Sequence, residues 1–514
     1  MAASEGGTAR RARRQRGALT HPPRSAAYRR ISNPFPPIRV FSDDQVEHMH
    51  EAALGVLETI GMRVLSPEAR ACYRKAGAKV DESRLTVRID RGMVEKALQT
   101  TPRMVDFVIR GSTDRLRMGG NHVAVATTGG APHISRIDGG KRNGTLADFR
   151  DLTKLAQSFD VLHVMGPGIV EAQDVELQFR HLEIMHAQLT LTDRVPFIYS
   201  RGPDQIRDCL EMVALAHGLA HDALPQHCCC YTAINTNSPL QLDIPMAHGI
   251  MSFAEAGQMV LMTPFTLAGA MAPITIPGAL TQAHAEALAC FVLSQAVRPG
   301  APGIYGCFTS NVDMRSGSPA FGTPEFAKAT FGAGQLARRV GLPFRATNAN
   351  ASNAPDAQAV YEAQMSLWSA LMGGCNLLYH GAGWLEGGLT ISLEKFILDV
   401  EMLQMFAELF QPVPFSEDEL ALEDMATVGP GGHYFSAPHT MERYSNAFYS
   451  PLVSDWRNYG QWSEDGSRSA TERANTIWKK TLAEYVSPPN DLSRVAALAD
   501  FVARRKSEGG ALPI

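Results

Sequence analysis

Eight short apolar runs in this chain end in aromatic, cationic or glycine-rich residues, and those ends carry the groups best suited to chemistry. The first run ends in Thr127-Thr128-Gly129-Gly130-Ala131-Pro132-His133, the second in Gly166-Pro167-Gly168, and the third in Tyr199-Ser200-Arg201. The fourth carries Tyr231 through Asn235 and Asn237. The sixth gives Tyr305, Cys307 and Phe308, then Asn311, Asp313 and Arg315; the seventh gives Asn348 and Asn350. The eighth gives Tyr379, His380, Trp384 and Glu386. Aromatic faces attract a quaternary ammonium by ~0.5–2 kcal/mol each once water is excluded. An arginine or histidine beside them can hold a carboxylate through charge-assisted bonds. Glycines let a bulky flat cofactor approach the backbone. The combination suits a methylated ammonium, a betaine included, presented to a large cofactor. Any single ring is equally well read as a packing residue with a wet hydroxyl or NH. The reading therefore rests on convergence, and on the elements that produce it.

Those elements alternate regularly. The runs 122–128, 161–166, 196–200, 227–233, 259–263, 303–308, 343–348 and 376–380 read as strands. Helical patterns follow them at 145–158, 174–191, 204–219, about 246–257, 280–297, 324–340, 356–372 and 391–410. Eight strand–helix units predict an α/β fold, a closed (β/α)8 TIM barrel over 121–410, with its chemistry where the strands end. Ahead of it, 38–120 reads as a small N-terminal α+β preface. Its first helix starts at Ser42, where Ser42 and Gln45 make a capping-box pattern. A helix is expected at 67–76 and strands near 84–89 and 105–110. Residues 411–514 read as a C-terminal helical extension, with a loop Gly429 to Thr440 and helices from about Thr471 to Tyr485 and near 492–505.

At 514 residues the chain exceeds a bare barrel of about 250, which leaves room for both modules. A formal net charge of −4 gives no whole-molecule bias toward nucleic acid or anionic membrane. No uncharged apolar run is long enough to predict a membrane span. Residues 1–37, with Arg10, Arg11, Arg13, Arg14 and Arg16, read as a disordered basic tail. A twin-arginine export signal would need an apolar segment next, where Pro22, Pro23, Arg24, Arg29 and Arg30 stand instead. Eight cysteines, three of them contiguous, do not form a disulfide framework and point to a reducing cytoplasm. A homo-oligomer is expected.

The run His227-Cys228-Cys229-Cys230 invites a zinc reading, but alternation puts Cys228 and Cys230 on one strand face and His227 and Cys229 on the other. A buried apolar strand is the better reading, and no bound metal is expected. His181 and His186 stand five apart without an HExxH pattern. Neither a phosphate loop nor a strand-linked GxGxxG occurs, so nucleotide use has no support.

At these residues the chain resembles the trimethylamine methyltransferase family, corrinoid-dependent amine methyltransferases with a barrel core. The pieces that carry the resemblance are TTGGAPH at 127–133, VDMRSGSPAFGTPE at 312–325, APDAQAVYE at 354–362, NLLYHGAG at 376–383 and VGPGGHYFSAPHT at 428–440. Together they cover nearly the whole chain from about residue 35. The resemblance implies transfer of a methyl group from an amine nitrogen to the cobalt of a partner corrinoid protein. Trimethylamine-specific members carry pyrrolysine in the barrel; this sequence has only standard residues, and chain order puts the matching loop near Asn348–Asn353, here NANASN. A neutral tertiary amine needs an activator to leave, whereas a quaternary ammonium already leaves as a neutral amine once it is positioned. The expected substrate is therefore a quaternary amine such as glycine betaine, or a related betaine or carnitine-like compound.

On this reading Tyr199, Tyr231, Tyr305, Tyr379 and Trp384 hold the cation. Arg315 or His380, with Arg201 in reserve, takes a carboxylate. Asp313 or Glu386 complements the cation or orients the clamp, so that Asp313, His380 and Glu386 are the candidate catalytic groups. Gly129, Gly130, Gly166 and Gly168 are the candidate approach for the cofactor. Tetrahydrofolate as acceptor, a non-catalytic betaine-binding barrel and a metal-dependent barrel hydrolase are the competing readings.

Overall fold

The computed structural model describes residues 28–514, so the arginine cluster at 10–16 lies outside the described residues. Residues 28–37, read from composition as tail, are docked. Tyr28 is buried, its carbonyl oxygen accepts from His163 Nε2 at 2.8 Å, and Ile31–Ser32 pairs antiparallel with His122–Val125.

The fold is mixed α/β. The central sheet runs in the order Ile31–Ser32, His122–Val125, Leu377–Tyr379, Phe344–Thr347, Gly303–Gly306, Met259–Met262, Tyr231–Ile234. All its pairings after the first are parallel. As a ladder of regular strands this sheet is open, so its pairings alone do not make the closed barrel expected from the eight repeats. The expected strands 161–166 and 196–200 contribute only isolated parallel bridges: Ala126 to Val164, Val164 to Val195, and Phe197 to Tyr231. Some backbone bonds persist there, such as Met165 N–H to the Val195 carbonyl at 2.9 Å, and side chains take over others. His163 Nδ1 accepts from the Val125 N–H at 3.0 Å, and Gln188 satisfies both backbone groups of Phe197, at 2.9 and 3.0 Å. Pro196 has no N–H to offer. The strand expected from 227 begins only at Tyr231, because the Cys229 and Cys230 N–H groups donate to Gln258 Oε1 instead.

Helices follow the strands where apolar periodicity put them, from Leu146–Ser158 through Pro324–Arg339 to Leu393–Leu409. Ile276–Val297 is apolar around its circumference because it is covered on both sides. The sheet lies within, and the N-terminal helices Asp43–Thr59, Pro67–Ala76 and Arg91–Thr100 pack outside. Asp43–Thr59 opens with the reciprocal Ser42–Gln45 capping box. At the other end of the chain, Ala470–Ala483 closes over Leu393–Leu409. There Trp478 Nε1 and Asn475 Nδ2 both donate to the buried Glu394, at 3.0 and 2.8 Å. No described helix is long and apolar enough to cross a membrane.

His163 joins the N-terminal segment to the sheet only as a neutral ring, since Nδ1 must accept while Nε2 donates. Burial, helped by the nearby Arg194 charge, pushes its pKa down to about 3. The unfolded ring titrates near 6.5, so the unfolded chain binds the proton first. The stabilisation is whole above pH ~6.5 and is lost as pH falls toward 3, at about 1.4 kcal/mol per pH unit. Urea unfolding between pH 7.5 and 4.5 should therefore fall more steeply in the wild type than in His163→Gln. Parallel slopes would remove His163 as the source.

Candidate active site

A cavity of about 680 Å³ opens beyond the carboxyl ends of the parallel strands, the place where sites gather in such sheets. Its wall is aromatic. The Phe308 ring lies 5.0 Å from Phe265, 5.2 Å from Phe321 in a stacked pair, and 6.3 Å from Trp384. His380 lies 4.1 Å from the Trp384 ring and 4.7 Å from Tyr379. Tyr199 stands on another part of the wall, its hydroxyl donating to the Pro167 carbonyl at 2.6 Å.

The loop that follows Leu377–Tyr379 carries His380 and Trp384, and it is held from behind. Asn350 and Trp384 bond reciprocally: Asn350 Nδ2 donates to the Trp384 carbonyl at 2.6 Å, and Trp384 Nε1 donates to the Asn350 carbonyl at 3.0 Å. Asn348 Nδ2 donates to the Gly381 carbonyl at 3.1 Å and to Asp399 at 3.3 Å. The Gly383 N–H reaches the same carboxylate at 2.8 Å, and Lys395, fully buried, completes an ion pair with it. His380 sits at φ 55°, a left-handed backbone that a non-glycine side chain adopts only when its surroundings enforce it.

The structure brings together Tyr199, Arg201, Tyr379, His380, Trp384, Gly129 and Gly130 on this wall, with Arg201 already paired to Glu171 at 2.8 Å. The other expected site residues lie elsewhere. Tyr305 points outward, its hydroxyl bonded to His284 on the covering helix at 2.9 Å. Tyr231 is buried below the cavity and donates to the Met165 carbonyl. Asp313 and Arg315 are exposed on a turn beyond the strand Phe308–Val312, where Asp313 accepts from the Ser316 N–H at 3.1 Å and hydroxyl at 2.6 Å. Glu386 is occupied by Lys141 and Thr390, both at 2.5 Å, and these hold its carboxyl below the usual range. His380 is no cation: burial, then the charge of Arg345, holds its pKa well below the ordinary value, and its Nδ1 meets the Thr347 hydroxyl at 2.6 Å.

Three of the four candidate glycines are required by close approach within the chain. A Cβ on Gly129 would stand 2.3 Å from the Pro167 carbonyl oxygen, one on Gly166 would stand 2.3 Å from that of Thr127, and one on Gly168 would stand 2.6 Å from the Tyr199 ring. Gly166 and Gly168 do not reach the cavity wall. Cys230 is buried and Cys228 partly so, and desolvation pushes both thiols up.

Sequence reasoning missed Arg345, Phe265 and Phe321. Arg345 lines the cavity from the strand Phe344–Thr347, and its signal was available as a charged residue inside an otherwise apolar run. The arrangement as a whole is a cavity with a ring-lined wall and a buried arginine, and among the described residues no paired general acid and base lines it.

Comparison with known proteins identifies the lineage. A family model described as trimethylamine methyltransferase (MTTB) matches residues 5–510. A glycine betaine methyltransferase of Desulfitobacterium hafniense (strain Y51) is 34% identical over 477 residues, spanning 93% of this chain and 99% of its own. The trimethylamine methyltransferase MttB of D. hafniense (strain DSM 10664 / DCB-2) is 29% identical, spanning 91% and 94%. Among solved structures, the monomethylamine methyltransferase MtmB of Methanosarcina barkeri aligns with a TM-score of 0.45 at 10% identity, over 86% of this chain and 92% of that one. The chain belongs to the trimethylamine methyltransferase family, and it is a methyltransferase.

Lys395 neutralises a carboxylate that burial otherwise pushes up in pKa. Lys395→Met should cost about 3–5 kcal/mol by leaving Asp399 buried and unpaired. A loss below about 1 kcal/mol in urea unfolding would show that the pair does not hold this loop.

Proposed function

We propose that this chain removes a methyl group from a quaternary methylated amine and passes it to the cobalt of a corrinoid carried by a partner protein. The observation that carries the reading is the ring-lined cavity around Phe308 and Trp384, with no acid–base pair on its wall. A displacement at a quaternary ammonium needs neither proton donor nor proton acceptor. The carbon–nitrogen bond breaks with its electron pair going to nitrogen, which leaves as a neutral tertiary amine.

The residues of this chain suit a corrinoid brought from outside. The space at Gly129, Gly166 and Gly168 is filled by neighbouring backbone and the Tyr199 ring, and only Gly130 of the four has room beside it. When it docks, the corrinoid supplies the nucleophilic cobalt. The chain orients the ammonium through Trp384, Phe308 and Phe321, and excludes water from the cation. The two named Desulfitobacterium relatives support an amine substrate, and the loop Asn348–Asn353, without pyrrolysine, favours a quaternary one.

The same reading takes the sheet and its three bridges as one closed (β/α)8 barrel over 121–410. In support, the bridges at Val164, Val195 and Phe197 span the interval between the strands His122–Val125 and Tyr231–Ile234. The α+β preface at 38–120 and the extension at 411–514 would then be separate modules on that barrel. Cytoplasmic residence accords with eight cysteines that are all free.

The test follows reduced cob(I)alamin as it becomes methylcobalamin across glycine betaine, proline betaine, carnitine, choline, trimethylamine and dimethylglycine. Demethylation of a quaternary compound is expected. Activity on trimethylamine alone would overturn the quaternary preference, and methyl transfer only to tetrahydrofolate would replace the acceptor. In the same panel, Trp384→Ala should weaken quaternary-ammonium binding about 2- to 30-fold by calorimetry. Unchanged affinity would take Trp384 out of the cation site.

A further inference from the structure

Arg345 is a buried cation without a counter-ion. It is 2% exposed, and its Nε and Nη1 have no hydrogen-bond partner. Its guanidinium carbon lies 4.5 Å from the Tyr379 ring centre and 5.3 Å from that of Phe308. Among the described residues no carboxylate comes within ion-pairing distance of it. The acidic residue on the cavity wall, Asp243, is spent on the Met246 N–H at 2.9 Å and on Asn237 at 3.0 Å. The wall's other arginine, Arg201, already has Glu171, and His380 is neutral.

An unpaired guanidinium in such a place is unfavourable unless a ligand completes it. The depth of the cavity sets which end of a ligand does so. Arg345 is the second residue of the central strand Phe344–Thr347, whereas Phe321, just after Pro319–Ala320, and Trp384, in the short strand Trp384–Leu385, lie beyond the ends of the central strands. The methyl group to be transferred must face the opening, where the acceptor arrives. The end of the substrate away from the ammonium then falls toward Arg345, with Phe308 bordering both halves.

We propose that Arg345 is the specificity-determining residue of this site: it binds the carboxylate of a zwitterionic methylammonium substrate and so selects betaines over uncharged-tail cations. The inference rests on the proposed reaction for the ammonium end alone. A simple tetraalkylammonium would leave the guanidinium unpaired and bring a second positive charge beside it. A betaine neutralises the guanidinium while its ammonium meets the rings. A fork of two N–H donors also suits a carboxylate better than a lysine point charge does.

The experiment measures binding by calorimetry with the full chain, using glycine betaine, choline and 3,3-dimethylbutanoate. The last has the shape and carboxylate of glycine betaine with carbon in place of the charged nitrogen. In the wild type both carboxylates should bind. Arg345→Met should weaken both about 10- to 100-fold while leaving or improving choline, and Arg345→Lys should recover part of the loss. Removing an unpaired buried charge should not lower the melting temperature, which checks that the variants fold. Carboxylate binding that depends on Arg345, without methyl transfer from any amine, would sustain this inference and overturn the proposed reaction. Carboxylate affinities unchanged in Arg345→Met, or equal losses for glycine betaine and choline, would overturn the inference itself.

Discussion

A carboxylate buried on the helix Leu393–Leu409 has to be neutralised from several directions, and the way Asp399 achieves this fixes the cavity wall. Lys395, one turn earlier on the same helix, supplies the charge; the Gly383 N–H and the Asn348 amide supply the remaining donors. Each donor sits on a different element, so the helix, the loop after Leu377–Tyr379 and the loop after Phe344–Thr347 cannot move independently. His380 and Trp384 inherit their positions from that junction, and the left-handed backbone at His380 is the local strain it sustains. Rigid placement matters here because a displacement reaction gains most from holding its carbon in line.

Much of the scaffold was legible because its determinants are local. Ser42 and Gln45 announce a helix start by themselves, and apolar periodicity located helices such as Pro67–Ala76 without reference to neighbours. The strands at 161–166 and 196–200 were read from the same apolar signal, yet they form only bridges. Pro196 lacks a donor, and the side chains of His163, within the first run, and Gln188, on the helix before the second, satisfy bonds that a ladder would have made. Apolar pattern alone does not encode such substitutions.

The candidate site was legible as a region and less so as a set of side chains. Strand ends drew attention to Tyr379, His380 and Trp384, which do meet on one wall. Strand direction alone does not say which alternate residues face inward, and Tyr305 turns out toward His284. Asp313 and Arg315 looked close to the sixth strand's end, but the chain runs on through Phe308–Val312 and pairs with Pro319–Ala320, which carries both into solvent. The glycines were read as space for a ligand, and at Gly129, Gly166 and Gly168 the space belongs to Pro167, Thr127 and Tyr199.

The electrostatics of the cavity then divide into two halves that a single ligand can reconcile. Rings attract a cation, and a guanidinium already stacked on Tyr379 and Phe308 would repel one. These demands conflict for a ligand that is only positive and agree for one that carries both signs at its two ends. The neutrality of His380 belongs to the same balance: burial, with the Arg345 charge second, holds its pKa well below the ordinary value, so no further cation is added between the two halves. The polar groups behind the wall, Asn348, Asn350 and Asp399, are meanwhile tied to backbone and to one another rather than to a proton-transfer path. A wall that holds charge in place without moving protons is suited to a reaction in which the bond pair itself leaves on nitrogen.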